Sequence, residues 1–83
     1  MTIREPYAVV GNCRLCGQGR LIVAKETTTS DLYILCEECE SEWESPDATV
    51  DSAKATLMKH GQSTLLTRED LATHAWRRFL ISY

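Results

Sequence analysis

The apolar positions of this chain follow two different periods. Up to residue 36 they fall into three short β-rich runs, at residues 7–10, 21–25 and 32–36, with Ile22 and Val23 at the centre of the second. The polar stretch TTTSD separates the second run from the third, a spacing that predicts a hairpin preceded by a short N-terminal strand. Beyond residue 45 the spacing lengthens to three and four. In PDATVDSAKATLMKH, Val50, Ala53, Leu57 and Met58 share one side. Ser45 suits an N-cap, Pro46 the first helical position, Asp47 the positive end of the dipole and Gly61 a stop, which together predict a helix over about 46–60. Thr67 and Asp70 then form a T-x-x-D start, with Leu66 and Leu71 placed as a hydrophobic staple. Leu71, Ala75 and Phe79 lie on one line, and Ala72, Trp76 and Leu80 on the next, so a second helix is predicted over about 68–82. The expected fold is α+β: a hairpin unit over 6–44 and a two-helix part over 45–83, within one domain spanning 1–83.

The four cysteines change this picture most. Cys13, Cys16, Cys36 and Cys39 read C-x2-C-x19-C-x2-C, so each pair flanks the predicted hairpin. Two residues between thiols let the backbone curl round one ion, and two such pairs about 15–20 residues apart form a zinc spacing. Zinc takes four thiolates in a tetrahedron, which leaves no open position and makes the site structural. A small core also gains from a metal, because the binding free energy becomes folding free energy. Other uses of four cysteines are two disulfides, a redox pair or an iron–sulfur centre, and iron in place of zinc stays open. The expected cofactor is one structural Zn2+. His60 and His74 are read as structural or surface residues, since four cysteines already fill the site.

The residues CRLCGQGRLIV and LYILCEEC resemble the zinc-ribbon superfamily. They look most like small bacterial four-cysteine ribbons, including the zinc-ribbon part of toxin–antitoxin antitoxins. The resemblance covers about residues 13–40. It implies a metal-bound hairpin, while ribbons as a group serve many functions. Two features depart from it. No helix-turn-helix follows, and the second cysteine pair lacks the glycine that follows the first. A treble-clef variant, with Cys39 opening a helix, therefore remains an alternative.

Composition is that of an ordinary globular chain, with 43% hydrophobic and 25% charged residues in 83. No apolar run reaches membrane-spanning length, and the amino terminus lacks an apolar core of signal-peptide length, which reads as an uncleaved cytoplasmic chain. The net charge of −3 is unevenly spread. Residues 1–35 carry four bases and three acids, residues 36–53 seven acids and no base, and residues 54–83 five bases and two acids. Such an acidic middle repels a phosphate backbone and attracts a basic protein. Glu37, Glu38, Glu40, Glu42, Trp43, Glu44 and Asp47 are the candidate partner-binding residues, with Trp43 either an anchor for the partner or a residue packed on the hairpin, and the acids either an interface or a solvated face.

No serine–histidine–acid pattern, phosphate-cradling loop or open metal position is present, so no enzyme is expected. The sequence reads most simply as a protein-binding module. Its most concrete form is an acidic immunity protein or antitoxin that blocks a basic, nuclease-type toxin. Nucleic acid, a membrane and a small-molecule substrate are not expected partners. The alternative is a nucleic-acid or transcription/translation-associated ribbon using Arg14, Arg20, Lys25, Arg77 and Arg78. In that reading Trp76 beside the two arginines joins a binding patch; otherwise it is a core residue.

Overall fold

The computed structural model describes residues 7–81. Their framework is one antiparallel sheet of six strands: β1 (Val9–Asn12), β2 (Arg20–Glu26), β3 (Leu32–Cys36), β4 (Ser41–Trp43), β5 (Thr56–Leu57) and β6 (Ser63–Leu65). The strands run in the order β1-β2-β3-β4-β5, and β6 also pairs with β2. The expected hairpin is present. β3 occupies the predicted residues, and β2 extends one residue beyond the prediction at each end. The N-terminal strand begins two residues later than expected.

β2 is the centre of the fold. Leu21, Ile22, Val23 and Ala24 are all buried, so both faces of this strand are covered. On one face the register aligns Leu21 with Cys36, Val23 with Ile34, and Ile34 with Trp43. These residues, with Ala8, Cys13 and Leu71, make the main hydrophobic cluster. On the other face Ile22 pairs with Val9 and Leu35, Ala24 with Tyr33 and Leu65, and Leu35 with Glu42. Alternation along β4 therefore sends Trp43 and Glu42 to opposite faces.

The free edge of β2 is divided between two strands. β1 pairs along residues 20–22 and β6 along residues 24–26. At the junction the Val23 N–H donates to Ala8 O, Leu66 N–H to Val23 O, and Ala8 N–H to Leu66 O. This triangle ties the carboxy-terminal half to the amino-terminal strand. The Ile81 N–H then donates to Val9 O, and Arg68 Nη1 donates to Ile81 O at 2.6 Å.

Neither expected helix forms, so the α+β expectation is corrected to an antiparallel β fold with short 3₁₀ turns among the described residues. Over 46–60 the chain makes two 3₁₀ turns, Asp47–Val50 and Ser52–Lys54, and then β5. Local competition explains the change. The Asp51 side chain accepts from Ala53 N–H, and the Asp51 carbonyl accepts the Trp43 indole N–H at 3.2 Å, which withdraws it from a helical ladder. Thr56 and Leu57 instead complete the edge of β4. The anticipated apolar stripe is not used for packing: Val50 and Leu57 are each 66% exposed and Met58 is 90% exposed.

The start signal near residue 67 works, but the helix does not propagate. Asp70 N–H donates to Thr67 Oγ1, and Thr67 N–H donates to Asp70 Oδ2 at 2.9 Å, which is the reciprocal capping box. Leu71 is buried as the staple requires. Only one 3₁₀ turn follows, Glu69–Leu71, because His74 is extended and its Nδ1 accepts the Trp76 N–H to start a new turn, Ala75–Phe79. Residue 82 of the expected helix lies outside the described residues. No helix among the described residues is long and apolar enough to cross a membrane.

Trp43 is the largest fully buried side chain, at 1% exposure, and its indole N–H is satisfied. Trp43→Ala should therefore cost about 3–5 kcal/mol through lost burial and cavity formation. Such a loss is comparable to the whole stability of a small domain, so denaturant unfolding of the metal-loaded protein should show a midpoint far below the parent's.

Candidate metal centre

The two cysteine pairs sit at one end of the β2–β3 hairpin. Cys36 is the last residue of β3, and Cys13 directly follows β1. The pairs have the same backbone form. Gly17 N–H donates to Cys13 O and Glu40 N–H donates to Cys36 O, each at 3.1 Å. Gly17 (φ 70°) and Glu40 (φ 62°) both occupy the left-handed region, so the second turn closes without a glycine. β4 follows it directly, which decides for a second knuckle and against a helix opened at Cys39.

The four sulfurs fit one ion. Cys13 Sγ lies 3.7 Å from Cys39 Sγ and Cys16 Sγ 3.6 Å from Cys36 Sγ; all four lie within 4.8 Å of one another. A tetrahedron with zinc–sulfur bonds of about 2.3 Å has edges of about 3.8 Å. All four cysteines are free. Backbone N–H groups of Gly19, Glu38 and Cys39 point at the sulfurs: the first donates to Cys16 Sγ and the other two to Cys36 Sγ, all at 3.4 Å. Ser41 Oγ is 3.3 Å from Cys39 Sγ and can donate to the thiolate. A cluster of this kind suits a soft, tetrahedral ion, and zinc is the natural occupant. Bound there, the ion supplies cross-linking of the two knuckles.

Without a metal the sulfurs differ in acidity. The backbone N–H groups of Gln18 and Gly19 bring the Cys16 thiol down to about 6, while burial pushes Cys36 up to about 12. The Ser41 hydroxyl, with its backbone, lowers Cys39. Cys16 is therefore a thiolate at neutral pH, and the Cys36 proton must be displaced by the ion.

Three residues hold the centre and its sheet in ways that the cysteine spacing does not specify, and His60 is structural, as expected. Gly19 is needed for space and not for its dihedral: a Cβ there would fall 2.4 Å from Cys36 Sγ and 3.0 Å from the Glu38 backbone nitrogen. Arg20 latches the knuckles together, since Nε donates to Glu37 Oε2 at 2.6 Å and Nη2 to Oε1 at 2.9 Å, holding the Glu37 carboxyl below its ordinary range. His60 is half-buried; its ring stacks on Tyr33 with centroids 3.8 Å apart, and its Nδ1 lies 2.5 Å from Glu42 Oε1. Glu42 and His60 are 18 residues apart and carry no motif. The glycine alone left a signal, its position two after the first knuckle.

The seven candidate partner residues are placed very differently. Trp43 is in the core, Glu42 is 5% exposed against His60, and Glu37 is latched to Arg20. Glu44 is exposed but bridges to Lys59 Nζ at 2.7 Å, which lowers its carboxyl. Glu38, Glu40 and Asp47 are exposed, and none makes a salt bridge among the described residues. Among the bases, Arg14, Lys25, Arg77 and Arg78 are exposed, Arg78 lying over the Phe79 ring at 4.8 Å. Trp76 is half-buried and packs against the main cluster.

Compared with known proteins, the chain matches no family model, no curated protein and no solved structure.

Titration, chelation and substitution test the centre. Zinc should bind once per chain and release fewer than four protons at pH 7.5, because Cys16 is already ionised; release should rise as pH falls through about 6. Affinity accordingly falls on acidification, and a chelator should unfold the chain; calorimetry in buffers of different ionisation enthalpy and circular dichroism read both. Gly19→Ala should lower zinc affinity by at least about tenfold, the scale on which supporting residues act at metal sites, in a competition titration.

Proposed function

We propose that the protein is a non-enzymatic, zinc-stabilised protein-binding module that presents an acidic face to a basic protein. Its most concrete form is an immunity protein or antitoxin that occupies the basic cleft of a nuclease-type toxin. The observation that supports this reading is the set of exposed acids Glu38, Glu40 and Asp47, without salt bridges among the described residues and running from the second knuckle into the first 3₁₀ turn. Glu44 joins it at 65% side-chain exposure, shared with Lys59. A four-thiolate zinc centre carries a formal −2 next to this stretch, which deepens the local potential. A domain of this size tolerates such repulsion at some cost, and a fixed acidic surface steers a basic partner and raises its association rate. Compared with the seven residues suggested by sequence, the proposed contact surface is narrower: Glu38, Glu40, Glu44 and Asp47.

The test is stopped-flow association with the product of a neighbouring toxin-type reading frame, from low to high ionic strength. The rate should fall by about tenfold or more with salt, and should fall again at low salt when Glu38→Gln, Glu40→Gln and Asp47→Asn are combined. A rate indifferent to both changes would sink the proposal. Tight binding of random RNA or DNA in a gel-shift would instead favour the exposed bases Arg14, Arg77 and Arg78 as the working surface.

A further inference from the structure

At the opposite end of the β2–β3 hairpin from the cysteines lies a cavity of about 410 Å³ that is open to solvent on the side of Lys25, Ser30 and Asp70. Lys25 pairs with Leu32 there, four register steps from the Leu21–Cys36 pair, or about 13 Å along the strand. The cavity is lined by Lys25, Ser30, Leu32, Leu66, Asp70, Leu71 and His74, so it lies between the hairpin tip and the turns that follow β6. Its volume is within the range of small-molecule sites.

The lining divides into an apolar and a polar part. Leu32, Leu66 and Leu71 are apolar, with Leu71 fully buried and the other two packed against the main cluster. Lys25 and Asp70 contribute one charge of each sign. The Lys25 ammonium makes no hydrogen bond among the described residues. Asp70 uses Oδ2 to accept the Thr67 N–H, which together with the Thr67 hydroxyl keeps its carboxyl ionised below the usual range and leaves Oδ1 available. His74 accepts the Trp76 N–H at Nδ1, so its ring proton is on Nε2 and that nitrogen is a donor. The Ser30 hydroxyl also has no hydrogen bond among the described residues.

An apolar lining with one cation, one anion and two neutral donors excludes most ligand classes by charge. A phosphate dianion would meet a single lysine and be repelled by Asp70. A simple amine would meet Lys25 and leave the imidazole and hydroxyl donors without an acceptor. A fully apolar ligand would use the leucines alone and leave Lys25, Asp70, His74 and Ser30 without any contact to it, although Lys25 and Asp70 are exposed and lie near enough to attract each other. A zwitterion with an apolar body satisfies every group. We propose that this cavity binds a free apolar α-amino acid of leucine size. Its carboxylate meets Lys25, His74 Nε2–H and the Ser30 hydroxyl, its ammonium meets Asp70 Oδ1, and its side chain rests on Leu32 and Leu66, with Leu71 behind them. The proposal is independent of the acidic face and of the partner bound there.

The test is calorimetric titration of the zinc-loaded full chain with L-leucine, 4-methylpentanoate and 3-methylbutylamine. L-leucine should bind once per chain with a Kd on the order of 0.1–1 mM, as nine non-hydrogen atoms allow. Each analogue, lacking one charge, should bind at least about tenfold more weakly, the loss expected when a site's polar group goes unpaired. Lys25→Gln changes an exposed residue and should weaken leucine binding at least about fivefold while leaving zinc content and thermal unfolding as in the parent. Asp70→Asn keeps the oxygen that accepts from Thr67 and should weaken leucine while leaving 4-methylpentanoate unchanged. Absence of saturable leucine binding, analogues that bind as tightly as leucine, or an unchanged Kd in Lys25→Gln would each overturn the assignment.

Discussion

The pairing of β2 with β3 is the constraint on which the rest of the structure depends. Its register sets Leu21 opposite Cys36 and Val23 opposite Ile34, so one row of side chains runs from the hydrophobic core directly into the metal ligands. Cys36 is at once a core residue and a thiol, and Gly19 must lack a side chain because the chain passes so close to that sulfur. A one-residue slip would reverse the faces of the whole strand and carry the cysteine out of the cluster. Metal binding and sheet formation are therefore coupled through the same pairing. The Arg20–Glu37 latch lies across the same junction and orients the two knuckles.

The acidic middle of the chain has a different character in three dimensions from its character in sequence. Of its residues, Glu37 is drawn to Arg20, Glu42 to His60 and Glu44 to Lys59. Two of these partners, Lys59 and His60, come from the segment after residue 54, where the sequence is basic. The fold thus folds part of the basic end back against the acidic middle, and the field left for a partner comes from fewer carboxylates. On the other face of β4 from Trp43, the Glu42–His60 pair packs on Tyr33 and covers the second side of the sheet. Hydrogen bonds from His60 to Glu42 hold the β5–β6 connection against the sheet, so this carboxylate does not face a partner.

Local signals were readable where the interaction itself is local. The C-x2-C spacing specifies a knuckle, and the run LYILC gives a strand at its predicted residues. The Thr67–Asp70 capping box formed, because it involves groups three residues apart. The helices that such signals ordinarily introduce did not follow. Helix propagation needs an apolar face with something to pack on, and Val50, Leu57 and Met58 found none. Meanwhile an open edge on β4 and a shared edge on β2 offered backbone partners to Thr56–Leu57 and Ser63–Leu65. Of the two sequence readings of Trp43, anchor or packed residue, the fold takes the second, and its indole donates to the Asp51 carbonyl.

By itself the sequence determined the four-cysteine cluster, the hairpin between its pairs and the sign of the charge at its centre, since each is written in short-range spacing or simple count. The tertiary structure alone decided that residues 45–81 become turns and edge strands, that Glu42 and Trp43 are buried, and that Lys25, Asp70 and His74 surround one cavity. These outcomes depend on which sheet edges remain unpaired and which buried polar groups still need a partner. Both demands arise only after β2 and β3 have come together, and neither is visible in the period of a single segment.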